Sequence, residues 1–216
     1  MLVPLFASKG RALHRRAGWV FAAAMTLATV TGIASSIGWI AIPQLVKQLP
    51  SDPRRAAHAI GQLRAGGAFF GVLSLMSAQA LVFGLVATRF PDQRPMQHPL
   101  ASTVTALLAV ASGVALFVAL HTHSVLAGVF AVLGLLNAIN PLRRKKAKSW
   151  LRTHIEARLG ACTVATTPFT VQMVGRGSAS MLTMALAWSA PIAVGMATTA
   201  WWTRRIDKRK IALHRA

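Results

Sequence analysis

Six long apolar segments without Asp, Glu, Lys or Arg constrain the fold of this chain more than any other feature of its sequence. Each segment has 17 to 27 residues. At about 1.5 Å rise per residue, such a helix is roughly 25 to 40 Å long, enough to cross a hydrocarbon core of about 30 Å. The sequence therefore predicts an all-α fold, a polytopic bundle of six transmembrane helices. The predicted spans are residues 17–43, 65–88, 98–120, 124–140, 159–175 and 177–203.

The composition excludes an ordinary soluble protein. Hydrophobic residues make up 54% of the 216 residues and charged residues only 13%, whereas soluble chains carry about a quarter charged residues. The single cysteine, Cys162, excludes an internal disulfide and a zinc site built from cysteines. No segment fits a soluble domain, so we expect residues 1–216 to form a single integral membrane domain.

The distribution of Lys and Arg predicts the orientation of the bundle. The chain has 24 Lys and Arg against 4 Asp and Glu, a net charge of +20. In a soluble protein this excess would indicate nucleic-acid binding. Here the cations flank apolar spans and mark topology, so we expect no nucleic-acid partner. With six spans, 19 cations lie on the side of the two termini and 5 on the other, and the positive-inside rule predicts that both termini are cytoplasmic.

The fifth predicted span is the most polar of the six, with four Thr and a mid-segment Pro168. If it did not cross the membrane, the split of cations would fall to 14 against 10. The charges therefore favour six spans. We interpret the Thr residues of this span, and Gly67-xxx-Gly71 of the second span, as helix-packing contacts rather than as a substrate path.

No acidic residue lies inside a predicted span, because all four fall in connections or in the C-terminal tail. Ionisable groups inside the membrane mark proton and ion pathways. The placement of all four acidic residues outside the spans disfavours a proton-coupled transporter and a hydrolase with paired carboxylates. The sequence defines no catalytic residue, and a non-enzymatic protein is favoured. Asp52-Pro53 instead indicates the capped start of a helix that runs into the second span.

Three histidines near span boundaries, His14, His98 and His154, are the candidate cofactor ligands. Two imidazoles from facing helices can bind the iron of a b-type haem, so a pair drawn from these three is a candidate haem site. The alternative is that they are amphipathic anchors at the membrane interface. We favour the anchors, because haem ligands in helical bundles project from the core, and these histidines lie at its edges. No metal site is predicted.

The basic stretch Arg143-Arg144-Lys145-Lys146 is a candidate lipid-binding site. Each such cation near a membrane surface contributes about 1 kcal/mol of attraction to anionic headgroups. The alternative, which we favour, is that this stretch only marks topology. In both cases the expected partner is the lipid bilayer.

Two segments resemble a known family. Lys9-Gly10-Arg11-Ala12-Leu13-His14-Arg15-Arg16-Ala17-Gly18-Trp19-Val20 precedes the first span, and Trp150-Leu151-Arg152-Thr153-His154-Ile155 precedes the fifth. Both are similar to segments of a family of bacterial predicted membrane proteins that is defined only as a domain of unknown function. The resemblance covers residues 9–89 and 149–175. It implies a bacterial inner-membrane location and points to His14 and His154 as signature positions, without implying a reaction.

Three functions remain open from the sequence. The first is a non-enzymatic structural or accessory subunit that packs in or on a larger membrane complex. The second is an electron-transfer protein that binds haem b or a quinone, for which Trp188, midway along the sixth span, would supply an aromatic wall. The third is a small permease for a neutral solute, lined by Thr and Ser of the last two spans.

Overall fold

The described part of this protein is helical throughout its regular structure. The structure, a computed structural model, describes residues 12–46, 48–143, 149–175 and 180–213. A one-turn helix at Pro43–Val46 and a 3-10 turn at Pro95–Gln97 accompany six long helices. The long helices are α1 (Ala12–Ala41), α2 (Pro53–Arg89), α3 (Pro99–Thr122), α4 (Val125–Arg143), α5 (Trp150–Gly175) and α6 (Met181–Leu213).

Four of these helices are long and apolar enough to cross a membrane. They are residues Arg15–Ala41 of α1 together with the whole of α2, α3 and α4. The prediction of an all-helical chain with membrane-length apolar helices is therefore confirmed for this part of the protein. Helices α5 and α6 have 26 and 33 residues but are not among the four, so their crossing stays a prediction. Residues 176–179, where the sixth span was predicted to begin, lie outside the described ranges.

Helix α2 is the longest element, and it begins where the sequence predicts. The carboxylate Oδ1 of Asp52 accepts a hydrogen bond of 2.9 Å from the backbone N–H of Arg54, and Pro53 occupies the first turn, where no N–H is needed. The helix continues for 37 residues, which is about 55 Å at 1.5 Å per residue. This length exceeds that of a bilayer core of about 30 Å.

Helix α2 also lies at the centre of the bundle, where it contacts α1, α3, α4 and α5. Phe21 near the start of α1 packs with Leu81 near the end of α2, while Ser36 near the end of α1 binds Gly67. These two contacts make α1 and α2 antiparallel.

The same alternation continues along the chain. Contacts Gln79–Thr105 and Gly61–Thr122 make α2 and α3 antiparallel. Ser112 meets Gly134, and Ala119 meets Gly128, which makes α3 and α4 antiparallel. Thr163 meets Gly195 at similar distances from the loop that joins α5 to α6, so these helices form a hairpin. We call the end that holds Ala12, Arg89, Arg143 and Trp150 the basic end.

Glycine opposite a hydroxyl side chain recurs at the interfaces within these hairpins. Gly67 of α2 lets α1 approach closely. The backbone carbonyl of Gly67 accepts a 2.7 Å hydrogen bond from Oγ of Ser36 in α1. A Cβ on Gly67 would lie 2.9 Å from Ile40 Cγ1 and 3.0 Å from the Ser36 carbonyl oxygen. Gly71 likewise faces Ser36. The predicted packing role of Gly67-xxx-Gly71 is confirmed.

Helix α5 packs in the same way against α6. Its Thr163 faces Gly195 of α6, and Thr167 is only 2% exposed. Both hydroxyls donate to the backbone carbonyl four residues earlier in α5, so neither leaves an unsatisfied polar group in the apolar interior. The interpretation as packing residues is confirmed for Thr163 and Thr167, whereas Thr166 is exposed.

Trp188 joins α6 to the central helices. Its ring packs edge-on against Phe69 of α2 at 5.4 Å and lies 5.5 Å from the ring of Phe130 of α4. Phe69 and Phe130 themselves make a T-shaped pair at 4.8 Å. Edge-to-face contacts of this kind add stability beyond the area they bury. In the structure, Trp188 thus packs between helices.

A matched pair of glycine substitutions tests the close approach of α1 and α2. We expect Gly67→Ala to lower the free energy of unfolding in detergent by about 1 to 3 kcal/mol, since the added methyl group overpacks the contact with Ile40 and Ser36. Gly113→Ala on α3 is the control, because its Cβ would meet nothing within 4 Å. Thermal unfolding of both variants checks this, and equal stabilities would contradict it.

Candidate functional site at the basic end

The basic end gathers the three candidate histidines, because α1, α3 and α5 all begin there. His14 lies in the first turn of α1, although its side chain lies outside the described part of the structure. His98 is the residue that caps the start of α3, and His154 lies in the second turn of α5. The three side chains therefore belong to three different helices around α2.

His154 attaches α5 to the centre of the bundle. Its Nδ1 lies 3.2 Å from the carbonyl oxygen of Gly84 in α2, and the side chain is half-buried. A proton on Nδ1 makes this contact a hydrogen bond to a backbone carbonyl. Glycine at position 84 favours this close approach, because a Cβ there would lie 3.3 Å from the Cβ of Ala157. His154 is thus part of the α2–α5 interface rather than an anchor at the outer surface.

His98 lies on a different flank of α2. Its ring is 5.3 Å from the ring of Phe90 and tilted by 34°, and its Nδ1 is buried with no hydrogen-bond partner among the described residues. Helix α3 packs on the α2 face that carries Gln79, whereas His154 contacts Gly84, which is five residues further and therefore about 140° around the helix. The structure therefore does not bring His98 and His154 into one site.

The backbone places His14 and His154 at the same level on neighbouring helices. Helices α1 and α5 run in the same direction here, because Arg158 contacts Gly18 and Ala161, three residues later, belongs to the same buried cluster as Met25. His14 precedes Gly18 by four residues, and His154 precedes Arg158 by four residues. Each histidine is thus about one turn before the same contact. This register favours the pairing of the two signature positions over a pairing that includes His98.

Arg158, one turn after His154, makes contacts that the sequence did not indicate. Its Nη1 donates a 3.2 Å hydrogen bond to the carbonyl of Gly18, and its guanidinium carbon lies 4.7 Å from the centre of the Phe21 ring. The side chain is half-buried, and it has no carboxylate partner among the described residues. Glu156, on the same helix, is bound instead to Nε of Arg152 at 3.0 Å. The signal in the sequence was a cation directly before an apolar run.

Only the first residue of the predicted lipid-binding stretch is described. Arg143 is exposed at the last position of α4, at the basic end. Arg144, Lys145 and Lys146 lie outside the described ranges. The end of α4 nevertheless places the start of this stretch on the same side of the bundle as the candidate histidines.

Gln79 forms a polar junction inside the bundle that the sequence analysis missed. Its Nε2 donates to Thr105 Oγ1 at 3.0 Å and to the backbone carbonyl of Asn137 at 3.4 Å, and so links α2, α3 and α4. The side chain is 6% exposed. An amide in the middle of an apolar run was the available signal, since such a group needs partners inside the membrane.

Residues able to bind a metal do not cluster in the described part of the chain. There, no three His, Cys, Asp or Glu come close enough to hold a metal ion. No family model, curated protein or solved structure matches this sequence. The resemblance of the segments at residues 9–20 and 150–155 to a bacterial family therefore stays a prediction.

Chemical cross-linking tests the register of α1 and α5. In a Cys162→Ala background, we expect His14→Cys and His154→Cys together to be joined by a short rigid bis-maleimide, since both positions lie one turn before the Gly18–Arg158 contact. The control pair is His58→Cys with His154→Cys, which belong to opposite ends of the bundle. The chain is then cleaved by proteolysis between the two cysteines, and fragment size is measured, because cross-linked fragments stay joined. Equal cross-linking of both pairs, or of neither, would overturn the register.

Proposed function

We propose that this chain is a six-span integral protein of the bacterial inner membrane, with both termini cytoplasmic. We further propose that it acts as a non-enzymatic structural or accessory subunit that packs in or on a larger membrane complex. The alternating directions of the six helices support an even number of crossings, because every second helix end returns to the basic end. The 19 cations counted for that side support its cytoplasmic location.

The observation that carries the structural role is the use made of the interior polar side chains. Gln79 and Ser36 bind other helices of the same chain, and the Thr hydroxyls of α5 bind their own helix. A permease would need such groups to line a path for its solute. Here Ser36 and Gln79 hold helices together and the Thr hydroxyls are satisfied within α5, which supports a rigid bundle rather than a transport path.

The outer faces of the bundle supply the surface for a partner. On α3, Val110, Val114 and Phe117 are exposed at successive turns, with Phe117 61% exposed. On α1, Leu27 and its neighbours form a similar exposed apolar face. Lipid chains or the helices of another membrane subunit can cover such faces.

Cysteine labelling tests the topology. In a Cys162→Ala background, we expect Asp52→Cys to react with a membrane-impermeant maleimide in intact cells, and Arg94→Cys to react only after the membrane is opened. Both positions are exposed, but they lie at opposite ends of α2. The reverse pattern, or labelling of both in intact cells, would exclude the six-span arrangement with cytoplasmic termini.

Photo-cross-linking tests the accessory role. With benzoylphenylalanine in place of Leu27 or Phe117, we expect at least one of these positions to form a discrete protein–protein adduct in cells after irradiation. The same variants reconstituted alone in lipid nanodiscs serve as the control and should form lipid adducts only. If both positions give only lipid adducts in cells as well, the bundle is a standalone protein.

The register of His14 and His154 favours one alternative function, an electron-transfer protein that binds haem b at the basic end. The positive charge that surrounds both residues would also suit the propionates of a haem. A Soret band in protein purified after haem-replete expression, lost on His154→Ala, would favour this alternative over the structural role.

A further inference from the structure

Arg158 is a half-buried cation without a counter-ion among the described residues. One of its N–H groups is used by the Gly18 carbonyl, and its flat face lies against Phe21. Neither partner carries a negative charge. A partly desolvated guanidinium in an apolar setting is costly unless an anion compensates it. The remaining N–H groups of its fork match the oxygens of a phosphate.

The surroundings of Arg158 resemble the boundary between lipid headgroups and acyl chains. Arg15 is exposed and precedes Gly18 by three residues, so it lies on the same side of α1, one turn closer to the basic end. Trp19 and Val20, which follow Gly18, are 72% and 70% exposed. An exposed Trp is typical of this boundary, where its ring meets both acyl chains and headgroups. Charged and apolar surfaces thus meet at the Gly18–Arg158 contact.

We propose that Arg158 and Arg15 bind the phosphate of an anionic phospholipid, of the phosphatidylglycerol type, in the leaflet that borders the basic end. The acyl chains of this lipid then lie along the exposed face of Trp19 and Val20. This inference rests on the proposed crossing of the membrane by α1 and α5. The site is separate from the basic stretch that begins at Arg143, which lies at the end of α4.

Charge complementarity selects an anionic lipid over a zwitterionic one. Arg158 contacts Gly18, and Arg15 lies about one turn before Gly18, so both contribute positive charge here. The acid on α5 closest in sequence, Glu156, is bound to Arg152. A phosphatidylcholine headgroup would bring its own cation towards Arg15, whereas phosphatidylglycerol brings none. The field of the basic end therefore favours a lipid with net negative charge.

Quenching of Trp19 by brominated lipids tests the proposal, since Trp19 directly follows Gly18. The protein is reconstituted in phosphatidylcholine bilayers that contain a small fraction of dibromo-phosphatidylglycerol or the same fraction of dibromo-phosphatidylcholine. The contribution of Trp19 is the difference from the Trp19→Phe variant. We expect several-fold stronger quenching of Trp19 by the anionic probe. We expect Arg158→Gln to abolish this preference and Arg89→Gln to retain it, because Arg89 is an exposed arginine at the same end.

Arg158→Gln could weaken the fold, so Arg15→Gln provides a second variant, because Arg15 is exposed. We expect Arg15→Gln to reduce the preference for the anionic probe as well.

Equal quenching of Trp19 by the two probes in the unaltered protein would overturn the proposal, as would a preference that survives both substitutions. If inorganic phosphate abolishes the preference for the anionic probe, the site binds a free anion, and the proposal of a bound phospholipid is overturned. If neither probe quenches Trp19 or the interior Trp188, the membrane crossing itself fails, which distinguishes the two proposals.

Discussion

The close approach of helix backbones is the constraint on which this bundle depends. Between helices in lipid, burial of apolar surface supplies little driving force, so association relies on tight packing and hydrogen bonds. The three hairpins meet this requirement in the same way, with a glycine on one helix opposite a hydroxyl on the next. The pairs are Gly71 with Ser36, Gly134 with Ser112, and Gly195 with Thr163. The Ser36–Gly67 hydrogen bond shows how short the resulting distance is, at 2.7 Å.

Local sequence signals predicted the elements well, because they act within one helix. Apolar runs located the helices, and Asp52-Pro53 located the start of α2. Signals that act between helices were harder to interpret. The sequence shows that Gln79 is polar in an apolar run, but not that α3 and α4 flank it. It shows that Arg158 precedes a span, but not that Gly18 of α1 lies within its reach. The periodicity of a sequence indicates which side chains of a helix face inward, but it does not indicate which helix they contact.

The candidate site illustrates the same distinction. By their position in the sequence alone, His14, His98 and His154 are equivalent, since each lies at the edge of a predicted span. The central position of α2 separates them, because α3 and α5 pack on faces about 140° apart. His154 reaches Gly84 on one face and His98 meets Phe90 on the other side. Which histidines can act together therefore depends on the faces of α2 against which α3 and α5 pack.

The contact between His154 and Gly84 also sets an order of assembly. The contacts that build α1 to α4 join helices close in sequence, so they can form as each helix leaves the ribosome. His154 follows Gly84 by 70 residues, and at about 5 to 20 residues per second their synthesis is separated by roughly 4 to 14 seconds. During that interval the face of α2 around Gly84 is not yet covered by α5. Docking of α5 on α2 therefore follows the synthesis of α1 to α4.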